Sequence, residues 1–380
     1  MIPVCEPFLT GNELKYVTDC IKTNWISSQG KYIGEFEQRF AQYCDSKYGV
    51  STTSGTTALH LALAALNIGR GDEVIVPSFT MIAPVFAILY TGARPVLVDC
   101  EPETWNMDVA QIERKITRST RAILPVHIYG HPCDMDPLLE LAKKYGLYVI
   151  EDAAEAHGAE YKGRKVGGIG DAGCFSFYAN KIITTGEGGM IVTSRGELAE
   201  RARRLKDQAY SPEKRFLHTD LGFNYRMTNI QAAIGLAQLE RIEELVERRR
   251  KNAQLYRGLL EGVEGIGHPP QREWAKSVYW MYGILIEDGF GMSRDELQVK
   301  LKESGIDTRA FFIPMHQQPA FLSLGLFAGE SYSVSEDISK RGMYLPSGSG
   351  LKEEEIEQVC ITLRRIRRSA TVRKGITCKA

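Results

Sequence analysis

Between residues 50 and 195, short apolar runs rich in β-branched side chains recur at 74–76, 95–98, 122–126, 147–150, 173–177 and 189–192, with helical stretches between them. Strands that alternate with helices make a mostly parallel sheet with helices on its faces. The runs are apolar on consecutive positions rather than alternate ones, as expected of strands covered on both sides. The chain is therefore predicted to be α/β. Leu59, Leu63 and Leu66 fall on one helical face just after Ser54-Gly55-Thr56, where small polar residues suit a helix start. A long helical pattern over 229–260 carries Ile230, Ile234, Ala237, Leu239, Ile242 and Val246 opposite a charged face, and is expected to bridge two domains.

Beyond a glycine- and proline-marked break at 265–270 the pattern changes. An apolar strand near 278–286, a helix over 293–304 and a last helix over 352–367 suggest a smaller α+β domain. The expected division is a large domain over 1–245, a small one over 246–368 and a flexible basic tail over 369–380.

Lysine plus arginine and aspartate plus glutamate both number 47, so no overall field recruits nucleic acid or an anionic membrane. Any phosphate has to be held locally. The 8 cysteines are scattered without a CxxC pair, which argues against a disulfide framework or a structural metal site. No basic segment followed by an apolar core opens the chain, and no run of about eighteen apolar residues occurs. The expectation is a reduced, cytoplasmic protein without membrane or nucleic-acid partners.

Lys181 leaves the apolar run Phe175-Ser176-Phe177 and enters the glycine-rich Gly186-Glu187-Gly188-Gly189. A partly desolvated amine there has a lowered pKa and becomes a nucleophile towards carbonyls. A surface lysine beside a turn fits the same pattern. Asp152 ends the run Val149-Ile150-Glu151-Asp152, at the carboxyl end of a strand, where ligands of open α/β sheets gather. Its carboxylate suits a protonated pyridine nitrogen, or a simple helix cap. Ser54-Gly55-Thr56-Thr57 offers backbone N–H groups and hydroxyls to a phosphate, or again a cap. What favours chemistry is their order in one α/β domain: cradle, strand-end aspartate, then lysine. No GxGxxG follows an early strand, which disfavours a dinucleotide-binding dehydrogenase.

With Trp25-Ile26-Ser27-Ser28-Gln29-Gly30, Gly71-Asp72-Glu73-Val74, Gly222-Phe223-Asn224-Tyr225-Arg226-Met227 and Pro314-Met315-His316 added to these motifs, the chain resembles the DegT-type sugar-nucleotide aminotransferases over about residues 3–367. That resemblance implies the fold type I of pyridoxal-phosphate (PLP) enzymes, a large domain with a mostly parallel seven-stranded sheet plus a smaller C-terminal α+β domain. It implies that Lys181 carries the cofactor covalently and moves the proton between the cofactor and the substrate carbon, and that Asp152 meets the pyridine nitrogen. Gly55, Thr56 and Ser176 would bind the phosphate, with Asn180 also at the cofactor. Asn224 would reach the phosphate from the partner subunit, which implies a homodimer with shared active sites. Glu155 stands near the cofactor's 3-hydroxyl, where glutamine is more usual. Met81 stands where an aromatic side chain usually stacks on the ring, and a thioether can cover an aromatic face.

Trp25, Ser27 and Lys31 would form a substrate loop, and His316 would approach the sugar. The implied substrates are L-glutamate as amino donor and a nucleotide-linked keto sugar, foremost a GDP-linked 4-keto-6-deoxymannose aminated at C4. A UDP- or dTDP-linked 3- or 4-keto sugar is the alternative. A non-catalytic regulator on the same fold would be expected to have lost Lys181, Asp152 or the cradle, and all three are present.

Overall fold

The computed structural model describes residues 1–214 and 216–377, the side chains of 371–377 aside. Its centre is a seven-stranded sheet of β1 (Tyr48–Thr52), β2 (Glu73–Pro77), β3 (Arg94–Val98), β4 (Thr120–Ile123), β5 (Tyr148–Asp152), β6 (Ala172–Ser176) and β7 (Gly189–Thr193), in the order β1-β7-β6-β5-β4-β2-β3. Only β7 runs antiparallel, to β1 and to β6; the other pairings are parallel. Val74, Ile75, Val76 and Ile150 are fully buried, because helices cover both faces.

Strand β1 escaped the sequence reading. Its buried positions include Gly49, Ser51 and Thr52 beside the one large aliphatic residue, Val50. Ser51 can be buried because Glu37 accepts from both its N–H (2.8 Å) and its hydroxyl (2.7 Å).

The helix Gly55–Ala65 lies in the core along most of its length, with Ala58, Leu61, Ala62 and Leu63 fully buried. Ser54 caps it: its hydroxyl accepts from the Thr57 N–H, and Thr57 answers with its own side chain on the Ser54 N–H. The single helix expected over 229–260 is two, Asn229–Leu239 and Ile242–Leu260. The break is held by side chains that leave the helix line. Glu240 accepts from Asn12 and Tyr16, and Arg241 pairs with Glu244. The second of these helices begins against the main core, through Ile242, Leu245 and Val246, and ends in a second core through Ala253, Tyr256 and Leu260.

That second core surrounds a four-stranded antiparallel sheet of Ile266–Gly267, Tyr282–Ile286, Gly342–Leu345 and Arg309–Ala310. Ile2 joins it beside Ile306. The strand expected from 278 begins only at Tyr282, because the Val278 N–H turns to the Gly130 carbonyl and Tyr279 adopts a left-handed φ of 46°. The expected helix over 293–304 is Arg294–Glu303, capped by Ser293. The last helix, Glu353–Thr377, takes in most of the segment expected as a tail, and 378–380 lie outside the described residues. Among the described residues no helix is long and apolar enough to cross a membrane, and no three His, Cys, Asp or Glu side chains cluster as a metal site.

Candidate active site

The carboxyl ends of β5 and β6 and the start of the helix Gly55–Ala65 meet around a cavity of about 300 Å³. Asp152 is the last residue of β5 and Ser176 the last of β6, so parallel strand direction alone sends both to the same edge. The helix start is pressed against that edge. A Cβ on Gly55 would stand 2.8 Å from the Ser176 Cβ, and one on Gly189 would stand 2.2 Å from the Ser54 carbonyl oxygen. Ser54, Gly55, Thr56 and Ser176 all line the cavity. Ser54 occupies the Thr57 N–H, whereas the Gly55 and Thr56 N–H groups, first in the helix, have no intrahelical acceptor. An anion fits there.

Lys181 lies five residues past the end of β6 and reaches into the cavity with 11 % of its side chain exposed. Its Nζ stands 3.8 Å from Glu155 Oε1 and 3.7 Å from the centroid of the Trp280 ring. Burial lowers its pKa below that of a free lysine, the carboxylates of Glu155 and Asp152 oppose the shift, and the Arg249 guanidinium adds to it. Glu155 is itself buried, which raises its pKa, with Lys181 opposing; its Oε2 accepts the Tyr129 N–H at 2.7 Å. Asp152 is 6 % exposed and its pKa is also raised by burial. One of its oxygens accepts the Ala154 N–H at 3.0 Å, which fixes the carboxylate at the strand end.

Among the described residues, two buried polar atoms of the cavity lining have no partner, Thr80 Oγ1 and Asn180 Oδ1. A buried polar group without a partner costs roughly 1–3 kcal/mol. A ligand with polar groups on its rim therefore relieves a cost the fold otherwise bears. Met81 also lines the cavity and is 45 % exposed, with Sδ accepting the Ala83 N–H at 3.1 Å. An anion cradle, a buried carboxylate, a largely buried amine and an exposed thioether thus fit the phosphate, ring nitrogen, aldehyde and ring face of PLP.

Other residues singled out from the sequence stand apart from this cavity. Trp25 is 53 % exposed, Lys31 pairs with Asp19 at 2.8 Å, and the Ser27 carbonyl accepts the Asn229 N–H. Asn224 is exposed and accepts from Arg226 Nε. His316 is buried between Ser78 Oγ, 2.8 Å from Nδ1, and Glu336 Oε1, 3.0 Å from Nε2. Conversely, Thr80, Trp280, Phe312 and Tyr344 line the cavity without having been singled out. Trp280 and Tyr344 sit in apolar stretches that read as ordinary strand or core. Thr80, next to Met81 in the loop after β2, carried the only usable signal.

Gly55→Ala is expected to weaken PLP binding by about tenfold, because the added methyl forces the helix start away from Ser176. Gly258→Ala, where a Cβ meets nothing within 4 Å, is the control. Equilibrium absorbance titration with PLP measures both, and an unchanged affinity for Gly55→Ala would contradict the cradle.

Fold and site together define a PLP-dependent aminotransferase of fold type I. The chain belongs to the DegT/DnrJ/EryC1/StrS aminotransferase family, whose model matches residues 7–364. It is 47 % identical over 366 residues to the GDP-perosamine synthase of Caulobacter vibrioides, covering 96 % of this chain and 98 % of that one. It is 46 % identical to the GDP-perosamine synthase of Escherichia coli O157:H7, covering 94 % and 96 %. Among solved structures, the aminotransferase from Psychrobacter cryohalolentis superimposes with a TM-score of 0.90 at 32 % identity, covering 96 % of this chain and 99 % of that one.

Proposed function

We propose that this enzyme transfers the amino group of L-glutamate to C4 of a GDP-linked 4-keto-6-deoxy sugar, converting GDP-4-keto-6-deoxymannose to GDP-perosamine. The observation that carries the amino-transfer reading is the largely buried amine of Lys181, gathered with Asp152 and the Gly55 cradle in one cavity. The choice of GDP sugar is supported by the near full-length similarity to GDP-perosamine synthases.

PLP, when bound, supplies the carbonyl that takes up the amino group and the ring that accepts electrons from the substrate carbon. The Gly55 and Thr56 N–H groups and Ser176 would hold its phosphate. Asp152, kept from rotating by Ala154, places a negative charge for the ring nitrogen. Glu155, Asn180 and Met81, which line the same cavity, would complete the cofactor's surroundings, Met81 through its polarisable thioether. Lys181 would join the cofactor through Nζ and, once released, would hold and move the proton at that nitrogen; burial lowers the pKa of this amine, which eases loss of the proton.

Asn224 serves the cofactor phosphate of the partner subunit in a homodimer. Its absence from the lining of its own chain's cavity and the exposed Leu217 and Leu221 that precede it in the chain support that role. Trp25, Ser27 and Lys31 form a loop on the sugar side. His316 also belongs to the sugar side, and its approach requires it to give up Ser78 or Glu336. The domain division falls near residue 245, where the helix Ile242–Leu260 passes from the first core towards the second.

Incubation with L-glutamate and a panel of GDP-, UDP- and dTDP-linked 4-keto sugars, with products identified by mass and NMR, tests the assignment. The GDP sugar is expected to be aminated with the highest kcat/KM. Preference for a UDP or dTDP sugar would overturn the substrate, and amination of none would overturn the function.

A further inference from the structure

Trp280 is fixed in three ways. Its Nε1–H donates to the Asn180 carbonyl at 2.9 Å, and its own carbonyl accepts from the buried guanidinium of Arg249. The ring also lies nearly parallel to Tyr129, 18° between planes at 6.3 Å. Asn180 is the residue immediately before Lys181, so the first of these bonds ties the indole to the backbone that presents the lysine. The Lys181 amine lies over the ring at 3.7 Å from its centroid, with Glu155 Oε1 at 3.8 Å. An ammonium over an indole face is drawn to the negative face of its π-system, most strongly where water is excluded.

Glu155 alone does not account for the position. Its other oxygen is committed to the Tyr129 N–H, and the Arg249 guanidinium repels a charged amine. Asp152 and Cys5 also bear on that amine, both favouring its charge. The buried indole offers it a broad face as a second partner.

We propose that Trp280, with Glu155, forms a built resting site for the Lys181 ammonium whenever that side chain is not joined to the cofactor. The inference rests on the functional reading above and deepens it. An amino transfer in two halves requires the lysine to leave the cofactor and return, and a long side chain left loose loses its position to rotamer freedom. A resting site a short swing away keeps it at hand. By favouring the released lysine, Trp280 also biases the balance between the aldehyde and aminated forms of the cofactor towards the aminated one.

Two measurements on the holoenzyme test this. With lysines carrying 13C at Cε, glutamate-treated wild type is expected to show Lys181 Hε resonances displaced upfield of the other lysines by the indole ring current, assigned by their loss in Lys181→Arg. Resonances within the ordinary lysine envelope would overturn the proposal, whatever the variants do. Separately, the glutamate to 2-oxoglutarate ratio that half-converts the cofactor is followed by absorbance. Trp280→Leu is expected to need about threefold more glutamate than wild type, and Trp280→Phe, which keeps a ring face, less than that. An unmoved midpoint in Trp280→Leu, or a Phe variant as displaced as the Leu variant, would overturn it. A wild-type spectrum that glutamate leaves unchanged would contradict the functional reading itself, and the resting site with it.

Discussion

Lys181→Ala is expected to lose the covalent adduct with PLP and to lower turnover by roughly 10⁴-fold or more, because covalent attachment and proton transfer both depend on this one nitrogen. The protein should stay folded. The amine makes a long ion pair and a ring contact but no hydrogen bond shorter than 3.5 Å, so little packing depends on it. The carboxylate it leaves behind, Glu155, is already shifted towards its neutral form by burial and can take up a proton instead of remaining a buried bare charge. Steady-state kinetics, the absorbance band of the attached cofactor and a thermal melt measure the three parts. Turnover within tenfold of wild type would show that another group does this chemistry.

Asp152→Asn is expected to reduce turnover by about 10²–10³-fold while changing phosphate affinity by less than about threefold, since a charge aimed at a site excluded from water acts strongly on the electronics of the reaction. The substitution is close to isosteric. The amide oxygen can still accept the Ala154 N–H, so the end of β5 and the cradle beyond it are undisturbed. Turnover is read with glutamate and the keto sugar, and phosphate affinity by competition of inorganic phosphate with PLP loading. Equal losses in both would mean that Asp152 holds the site together rather than serving the ring nitrogen.

How far the sequence discloses this protein depends on what each element buries. Strands β2 to β7 were legible because strands covered on both faces must be apolar on successive positions. Strand β1 was not, since its buried polar residues are satisfied by Glu37, a partner on a preceding helix that no local pattern reveals. The interruption at Glu240 and Arg241 was hidden for a related reason: the apolar period continues across it, while the contacts that break the helix reach back to Asn12 and Tyr16.

Within the site, Lys181, Asp152 and Ser54 to Thr57 were legible because each stands at or shortly beyond the end of a regular element, in an order that parallel topology brings to one edge. Trp280 was not. It enters from a distant part of the chain, and periodicity shows that it is buried without showing that it faces an amine. Its indole is oriented by a bond to the Asn180 carbonyl and its own backbone carbonyl is held by Arg249, both far away in sequence. His316 shows the same limit from the other side. Its resemblance to a substrate histidine was readable, but its engagement by Ser78 and Glu336 emerges only when the chain is folded.

The most direct test of the account is to reduce the PLP-loaded enzyme with borohydride, digest it and locate the label by mass spectrometry. The pyridoxyl group should be found on the peptide containing Lys181, on that side chain and at close to one per subunit. A label on any other lysine, or none at all, would contradict the claim that this amine carries the cofactor.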